Sequence, residues 1–302
     1  MNDSTTPSVT IIMRTKDSED TLTQALTSLF SQTFQDFELL VVDSGSTDRT
    51  VSMLSSFPHQ LQRIAAADYF PGKVLNAAAE EATGEILVFW NSDVVALHSR
   101  SLENLLIPFK DENVVGAFAR QVPRPEAHAW VRRDYAASFP PTSPAAPWIT
   151  LSLPLAALRK NAWMEHPFYT DAWASEDTEW GHWARQNGLE IVYVPSAVVM
   201  HSHNYTLRQL YGRRFVEGEA DAVIFDTPAS AWQHIRGIAA SLVLDWRHAF
   251  HSRAFAELAM AFPRRAVYHW AHFRGMRHGK KRRQSGVGDA RHGQRVVLER
   301  YS

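Results

Sequence analysis

Residues Glu85–Asp93 read EILVFWNSD. Five apolar residues in a row, Ile86 to Trp90, stop abruptly at Asn91-Ser92-Asp93. Such a run, with no polar alternation, predicts a strand covered on both faces, as in a parallel sheet. In open α/β sheets, ligands bind in the crevice beyond the carboxyl ends of the strands. Asp93 then sits where a carboxylate reaches a ligand or a metal. The competing reading is that Asn91, Ser92 and Asp93 start a turn and cap the next helix. This stretch alone supports both.

Toward the N-terminus, strand and helix signals alternate. Val9–Met13 reads as a short strand, followed by Arg14 and Thr15. Asp17 or Ser18 is placed to cap a helix whose apolar positions are Leu22, Leu26, Leu29 and Phe30. Phe37–Val42 is a second buried strand, ending at Asp43-Ser44-Gly45-Ser46-Thr47-Asp48. Val51, Leu54 and Phe57 begin another helix, and Leu61–Ala65 reads as a third strand. Lys73–Glu81 reads as a helix closed by Gly84, just before the strand at 86–90. Serial βα units predict a parallel sheet with right-handed crossovers.

Toward the C-terminus the pattern breaks. Residues 121–148 hold Pro123, Pro125, Pro140, Pro141, Pro144 and Pro147, with Pro154 just beyond. That density predicts a long loop, and long ordered loops are often functional. Ser175-Glu176-Asp177-Thr178 begins a helix running to Gln186 and closing at Asn187-Gly188. Glu190–Val194 and Ala197–Met200 are strand-like. From about Ala229 to Phe273 the pattern is helical. The expected domains are 1–228 and a helical extension, 229–302.

The 302 residues are 45% hydrophobic and 21% charged, ordinary values for a folded globular chain. With no cysteine, disulfides, thiolate metal sites and cysteine catalysis are excluded. No apolar run reaches the eighteen residues of a membrane span. The opening MNDSTTPS lacks the basic and apolar regions of a signal peptide, so a cytoplasmic location is expected. Net charge is −1, yet the end is basic: Arg277, Lys280, Lys281, Arg282, Arg283, Arg291, Arg295 and Arg300. This reads either as a solvated disordered tail or as a segment drawn to an anionic membrane surface. Nucleic acid is not expected as a partner, because the tail lacks interleaved aromatics for base stacking.

Asp43 ends a buried strand as Asp93 does, and Arg14-Thr15 follows another. If these strands are parallel, the groups gather along one sheet edge. An Asx turn or helix cap explains Asp43 as well, and one residue can serve both purposes. Neither G-x-G-x-x-G nor G-x-x-x-x-G-K-[ST] follows any strand, which argues against dinucleotide dehydrogenases and P-loop NTPases. A diphosphate would need another counter-charge, and Asp93 with Mg²⁺ or Mn²⁺ supplies one. Glu176 and Asp177 suit the first turn of a helix electrostatically, and either also suits a base taking a proton from an attacking hydroxyl. His201 and His203 alternate at a strand end and offer metal ligands, although H-E-x-x-H is absent. Arg208, Arg213 and Arg214 form either a solvated helix face or a clamp on phosphate or an anionic acceptor.

In this order the segments resemble the family 2 glycosyltransferases with the GT-A fold, over roughly Val9 to Gly218. The resemblance rests on VTIIMRTKDSEDTLTQALTSLFSQTFQDFELLVVDSGSTDRT, LNAAAEEATGEILVFWNSD, SEDTEWGHWARQNG and YVPSAVVMHSH. It is closest to bacterial rhamnosyltransferase-like members. It implies a Rossmann-like, mainly parallel α/β sheet flanked by helices, with a C-terminal helical extension. Arg14, Thr15, Asp43, Ser44, Asn91 and Ser92 would line the nucleotide pocket, with Asp43 facing the base. Asn91-Ser92-Asp93 stands where the family carries D-x-D, leaving Asp93 as the metal ligand and Asn91 as a departure. Glu176-Asp177 would be the family's ED pair, with Asp177 the base. His201, with His203 second, would complete the site for Mg²⁺ or Mn²⁺, and Arg213 or Arg214 would meet the diphosphate or acceptor.

The implied reaction is inverting transfer from a nucleotide-diphosphate sugar to a hydroxyl of a carbohydrate or lipid-linked acceptor, in cell-surface polysaccharide or glycolipid synthesis. The aromatic residues Trp246, Phe250, Phe255, Phe262, Tyr268, Trp270 and Phe273, interleaved with arginine and histidine, suit either interfacial helices touching a membrane or an ordinary helical cap. The rival functions are a sugar-phosphate nucleotidyltransferase, which wants a glycine-rich N-terminal loop missing here, and a non-catalytic nucleotide-sugar binding module.

Overall fold

The computed structural model describes residues 8–285. The opening heptapeptide and Arg291, Arg295 and Arg300 of the basic tail lie outside the described residues.

Among the described residues, one compact unit comprises 8–124, 135–168 and 177–201. It is built on one sheet. Its strands are β1 (Val9–Thr15), β2 (Phe37–Asp43), β3 (Gln60–Arg63), β4 (Ile86–Trp90), β5 (Val95–Ala96), β6 (Val114–Val122), β7 (Leu155–Arg159) and β8 (Glu190–Met200). They lie in the order β3-β2-β1-β4-β7-β6-β8-β5. β3, β2, β1 and β4 are mutually parallel, as the serial βα signals require. β7 runs antiparallel between β4 and β6, while β6 and β8 are parallel.

Both faces of the sheet are covered, which explains the unbroken apolar runs. Ile12, Leu40, Val42, Leu87 and Phe89 point to one core, with α3 (Pro71–Glu81), α6 (Lys160–Glu165) and α7 (Glu176–Gln186) packed on it. Their neighbours Ile11, Met13, Leu39, Val41, Val88 and Trp90 point to the other. That core is closed by Leu22, Leu26 and Leu29 of α1 (Glu19–Phe30) and by Leu102 and Leu105 of α4 (Ser101–Leu106). Period-2 alternation with two buried faces makes the strand centres apolar, while polar residues enter near their ends, as in the Thr10–Glu38 pair at the start of β1 and β2.

Several local expectations change. α1 begins after Ser18, but the Ser18 side chain makes no cap bond. Instead Asp48 Oδ2, from the loop after β2, accepts the Glu19 amide at 3.1 Å. The proline-rich stretch is not one loop. β6 runs into it as far as Val122, and α5 (Ala129–Ser138) forms inside it, in the proline-free interval between Pro125 and Pro140. The two runs at 190–200 are one strand, whose register against β6 jumps from Ala119↔Val194 to Arg120↔Val198. Pro195 sits in that irregularity, where its missing N–H breaks no ladder bond.

The second compact unit comprises, among the described residues, 125–134, 169–176 and 202–285, so residues 202–228 group with the C-terminal helices. Its described helices are α8 (Leu207–Ile224), α9 (Ala231–Ser252) and α10 (Leu258–Ser285). The basic run Arg277–Arg283 is therefore the end of a helix, where the sequence also suggested a disordered tail. α8 and α10 cross backbone to backbone. A Cβ on Gly218 would meet His272 O at 2.2 Å, and one on Gly275 would meet Phe215 O at 2.0 Å. Among the described residues, no helix is long and apolar enough to cross a membrane.

Candidate active site

The site lies at the carboxyl edge of the sheet. The pairing Thr15↔Asp43 ends β1 and β2 level with each other. Thr15 and Asp43 are both buried, with Thr15 Oγ1 3.3 Å from Asp43 Oδ1. Asp43 Oδ2 accepts the amides of Gly45 and Ser46 at 3.1 and 3.0 Å, and Arg63 Nε lies 3.5 Å away. The Asx turn expected as an alternative reading therefore forms, and Gly45 takes φ +77° within it. Ser44 is buried, its amide donating to Thr15 O at 3.0 Å. Arg14 is half-buried, with Nη1 3.3 Å from the hydroxyl of Tyr69.

The loop after β4 is tied down differently. The Asn91 amide donates to Pro154 O, and the Val94 amide donates back to Asn91 O, each at 3.0 Å. Ser92 is buried, with its hydroxyl 3.0 Å from that of Ser18 and its carbonyl accepting Thr21 Oγ1 at 3.1 Å. Arg124 Nη2 donates to Asp93 O at 2.6 Å. These contacts fix the backbone and leave the Asp93 carboxylate directed at His201, with Oδ2 3.4 Å from Nε2.

His201 follows β8 directly, and its amide donates to Val122 O at 3.0 Å, continuing the β6–β8 ladder by one step. Its ring is held from behind. Nδ1 lies 2.9 Å from Gln121 Oε1 and 3.4 Å from the Tyr135 hydroxyl. Gln121 is buried, and its Nε2 donates to Ser152 Oγ at 2.8 Å, so its carbonyl is the end that faces the imidazole. A carbonyl only accepts, so Nδ1 carries a proton, and in the neutral ring the Nε2 lone pair then faces Asp93. A lone pair opposite a carboxylate suits a cation held by both. Carboxylate oxygen and neutral imidazole nitrogen, with the second ring nitrogen bonded to a carbonyl, form a donor set that fits a divalent ion such as Mn²⁺. His203, two residues on, is exposed and stacks on Tyr205 with centroids 5.3 Å apart. Ligand atoms of Asp93, His201 and His203 nevertheless lie within 4.8 Å of one another, a grouping that suits a metal ion.

The ED pair opens α7. Ser175 precedes it with φ +67°, so its backbone is not in the extended conformation of an N-cap. Non-glycine residues in that region cost energy and cluster at functional sites. Glu176 is buried. Asp177 Oδ1 accepts the Thr178 amide at 2.8 Å, and Oδ2 lies 3.4 Å from the Leu153 amide. Leu153 adjoins Pro154, the residue that holds Asn91, so one short segment before β7 ties Asp177 to the end of β4. Asn76 supports this arrangement by accepting Trp163 Nε1 and the Phe168 amide at 3.1 and 2.9 Å.

Arg213 and Arg214 lie on α8 within the second unit. Arg213 Nε is 2.6 Å from Glu217 Oε1, and Arg214 also pairs with Glu217 while stacking on the Tyr268 ring at 4.0 Å. Burial alone would raise the Glu217 pKa, but Arg214 and Arg213 hold it below its usual value.

The model for "Glycosyl transferase family 2" matches residues 10–169, just over half of the chain. The chain belongs to glycosyl transferase family 2. It is 27% identical over 223 residues to the O-antigen chain rhamnosyltransferase RfbN of Salmonella typhimurium, covering 70% of this chain and 71% of that one. It is 29% identical over 201 residues to the O-antigen chain rhamnosyltransferase WbaN of Salmonella anatum, covering 62% and 63%. Among solved structures, a mannosyltransferase from Pyrobaculum calidifontis, in complex with GDP-Man and Mn²⁺, superposes with a TM-score of 0.63. The identity there is 20%, over 91% of this chain and 88% of that one, a likeness of fold. The family 2 enzyme is thus a nucleotide-sugar glycosyltransferase with a GT-A fold, which sets aside both the nucleotidyltransferase and the non-catalytic module.

Sequence reasoning missed Gln121, Ser152, Arg124 and Tyr135 in this family 2 site. All lie in or beside the proline-rich stretch. The β-branched and apolar run Val114–Val122 was the available signal for the strand that carries Gln121.

Proposed function

We propose that the enzyme catalyses inverting transfer of a sugar, rhamnose being the first candidate, from a nucleotide-diphosphate donor to an acceptor hydroxyl on a growing bacterial surface polysaccharide. The donor and acceptor classes follow the names of the two Salmonella relatives. The observation that carries the reading is the convergence of Asp93, His201 and Asp177 at one sheet edge, each held by a named contact.

In this reading Arg14, Thr15, Asp43, Ser44, Asn91 and Ser92 shape the nucleotide side. Asp177, with Glu176 beside it, is the base. Its carboxylate takes the proton of the acceptor hydroxyl as that oxygen bonds to the anomeric carbon, while the bond from that carbon to the diphosphate breaks on the opposite side. Asp93 and His201, with His203 tethered two residues on, hold Mg²⁺ or Mn²⁺. When bound, the ion supplies positive charge against the departing diphosphate. Arg213 and Arg214 are the remaining candidates for diphosphate or acceptor contact. A cytoplasmic location at the inner membrane face, with a lipid-linked acceptor, completes the reading.

Asp177→Asn tests the base. Transfer falls by roughly 10²–10⁴-fold, while nucleoside diphosphate still raises the melting temperature as in wild type. Retained transfer removes Asp177 from its role. Screening UDP, dTDP, GDP and CMP by thermal shift with and without Mn²⁺ identifies the nucleotide, and stabilisation by none of them refutes the donor class.

A further inference from the structure

We propose that the outward face of α9 is a docking surface for an anionic lipid bilayer. One side of α9 is buried through Asp245 and Ala249. On the other, Trp232, Ile235, Val243, Trp246 and Phe250 are all at least half exposed, from 51% at Trp246 to 65% at Trp232. With exposed Ala239 they step by three or four residues along the helix, which places them on one stripe. Val243, Trp246, Arg247, Phe250 and His251 line a single shallow depression, and the Phe250 ring meets Phe255 edge-on at 5.5 Å. The apolar stripe therefore continues beyond the end of the helix. Contiguous exposed apolar surface of this kind marks an interaction site.

Charge identifies the occupant. Residues 231–285 contain eleven arginines and lysines and two acids, Asp245 and Glu257. Asp245 is buried against Arg265 and Arg133, and Glu257 pairs with Arg264. The exposed charge on α9 is accordingly basic, with Arg236 and Arg247 beside the stripe and Arg253 just past its end. Aromatic and aliphatic side chains flanked by arginines are what a helix lying in an anionic interface requires. A second copy of this chain fits poorly, because a self-complementary face would set arginine against arginine with no acid to meet it. Ile235 and Val243 offer no stacking plane to nucleic-acid bases.

The proposal builds on the membrane-face location above, but vesicle binding is measured with no donor present, so it can fail while the transferase reading stands. The full chain is sedimented with vesicles of phosphatidylcholine alone or with about one-third phosphatidylglycerol. Binding is expected only to the anionic vesicles. Trp246→Ser with Phe250→Ser lowers that binding at least about tenfold and leaves the melting temperature unchanged, since both side chains are exposed. Arg236→Glu with Arg247→Glu lowers it by roughly fivefold or more per residue and flattens its salt dependence. Equal binding by wild type and the aromatic double variant overturns the proposal by assigning attraction to the basic tail. No binding to anionic vesicles also overturns it, as does a concentration-dependent dimer in sedimentation velocity or oligonucleotide binding abolished by the aromatic double variant.

Discussion

Two loops of this molecule begin alike and end differently. Asp43 and Asp93 each follow a buried parallel strand, yet Asp43 is fully buried and its carboxylate is occupied by Thr15, Gly45, Ser46 and Arg63. Asp93 keeps a side chain 19% exposed, with Oδ2 3.4 Å from His201 Nε2 and its backbone carbonyl accepting Arg124 Nη2. The segments after β1 and β2 spend their carboxylates on each other and on their own turns: Asp17 accepts Thr47, and Asp48 accepts Thr50 and Glu19. The loop after β4 is anchored by main-chain bonds, by Ser92 and by Arg124, and its carboxylate faces His201. In one loop the strand-ending aspartate itself holds the turn; in the other, neighbouring groups hold it.

The sharpest way to break this contrast is to neutralise each aspartate in turn. Asp93→Asn lowers transfer by roughly a hundredfold or more with little change in urea midpoint, because it removes the carboxylate proposed to hold the cation that meets the leaving group. Asp43→Asn costs on the order of 2–4 kcal/mol in urea unfolding, since it disturbs a buried, multiply bonded carboxylate. If the two variants exchange these signatures, the assignment of the loops is wrong.

Gln121 gives a smaller and more specific test. Gln121→Leu removes the acceptor that fixes His201 with its lone pair toward Asp93, and weakens Mn²⁺ binding by about 10–100-fold. Gln121→Glu, which keeps an acceptor there, retains it. Free Mn²⁺ measured by electron paramagnetic resonance reads both without turnover, and equal affinity in all three proteins would remove Gln121 from the metal site.

The smallest effect concerns acid. Burial alone would raise the Asp48 pKa, but bonds from the Thr50 side chain and amide and from the Glu19 amide hold it below its usual value. A depressed folded-state pKa contributes stability above the unfolded value that is lost as pH falls through the folded one. Melting temperature should therefore drop less steeply in Asp48→Asn than in wild type as pH falls below about 4.

Much of this was legible in the chain. The runs at 9–13, 37–42 and 86–90 signal buried strands because two covered faces demand uninterrupted apolar residues. The position of Asp177 was legible from a helix start. Other features were not. Val114–Val122 and Leu155–Arg159 lie beside prolines that mask them, and local propensity says nothing about which strand enters antiparallel between β4 and β6. The cap for α1 comes from Asp48, distant in sequence, so no local reading of Ser18 finds it.

The sequence by itself determined the parallel half of the sheet, the edge where polar residues emerge and the family to which they belong, because periodicity and strand ends are short-range properties. Only the tertiary structure decided which of the two aspartates binds its own turn and which faces His201, that Gln121 stands behind His201, and that the segment before β7 brings Asp177 to the end of β4. Those depend on strand register and on hydrogen bonds between residues far apart in the chain, which nearest-neighbour chemistry does not encode.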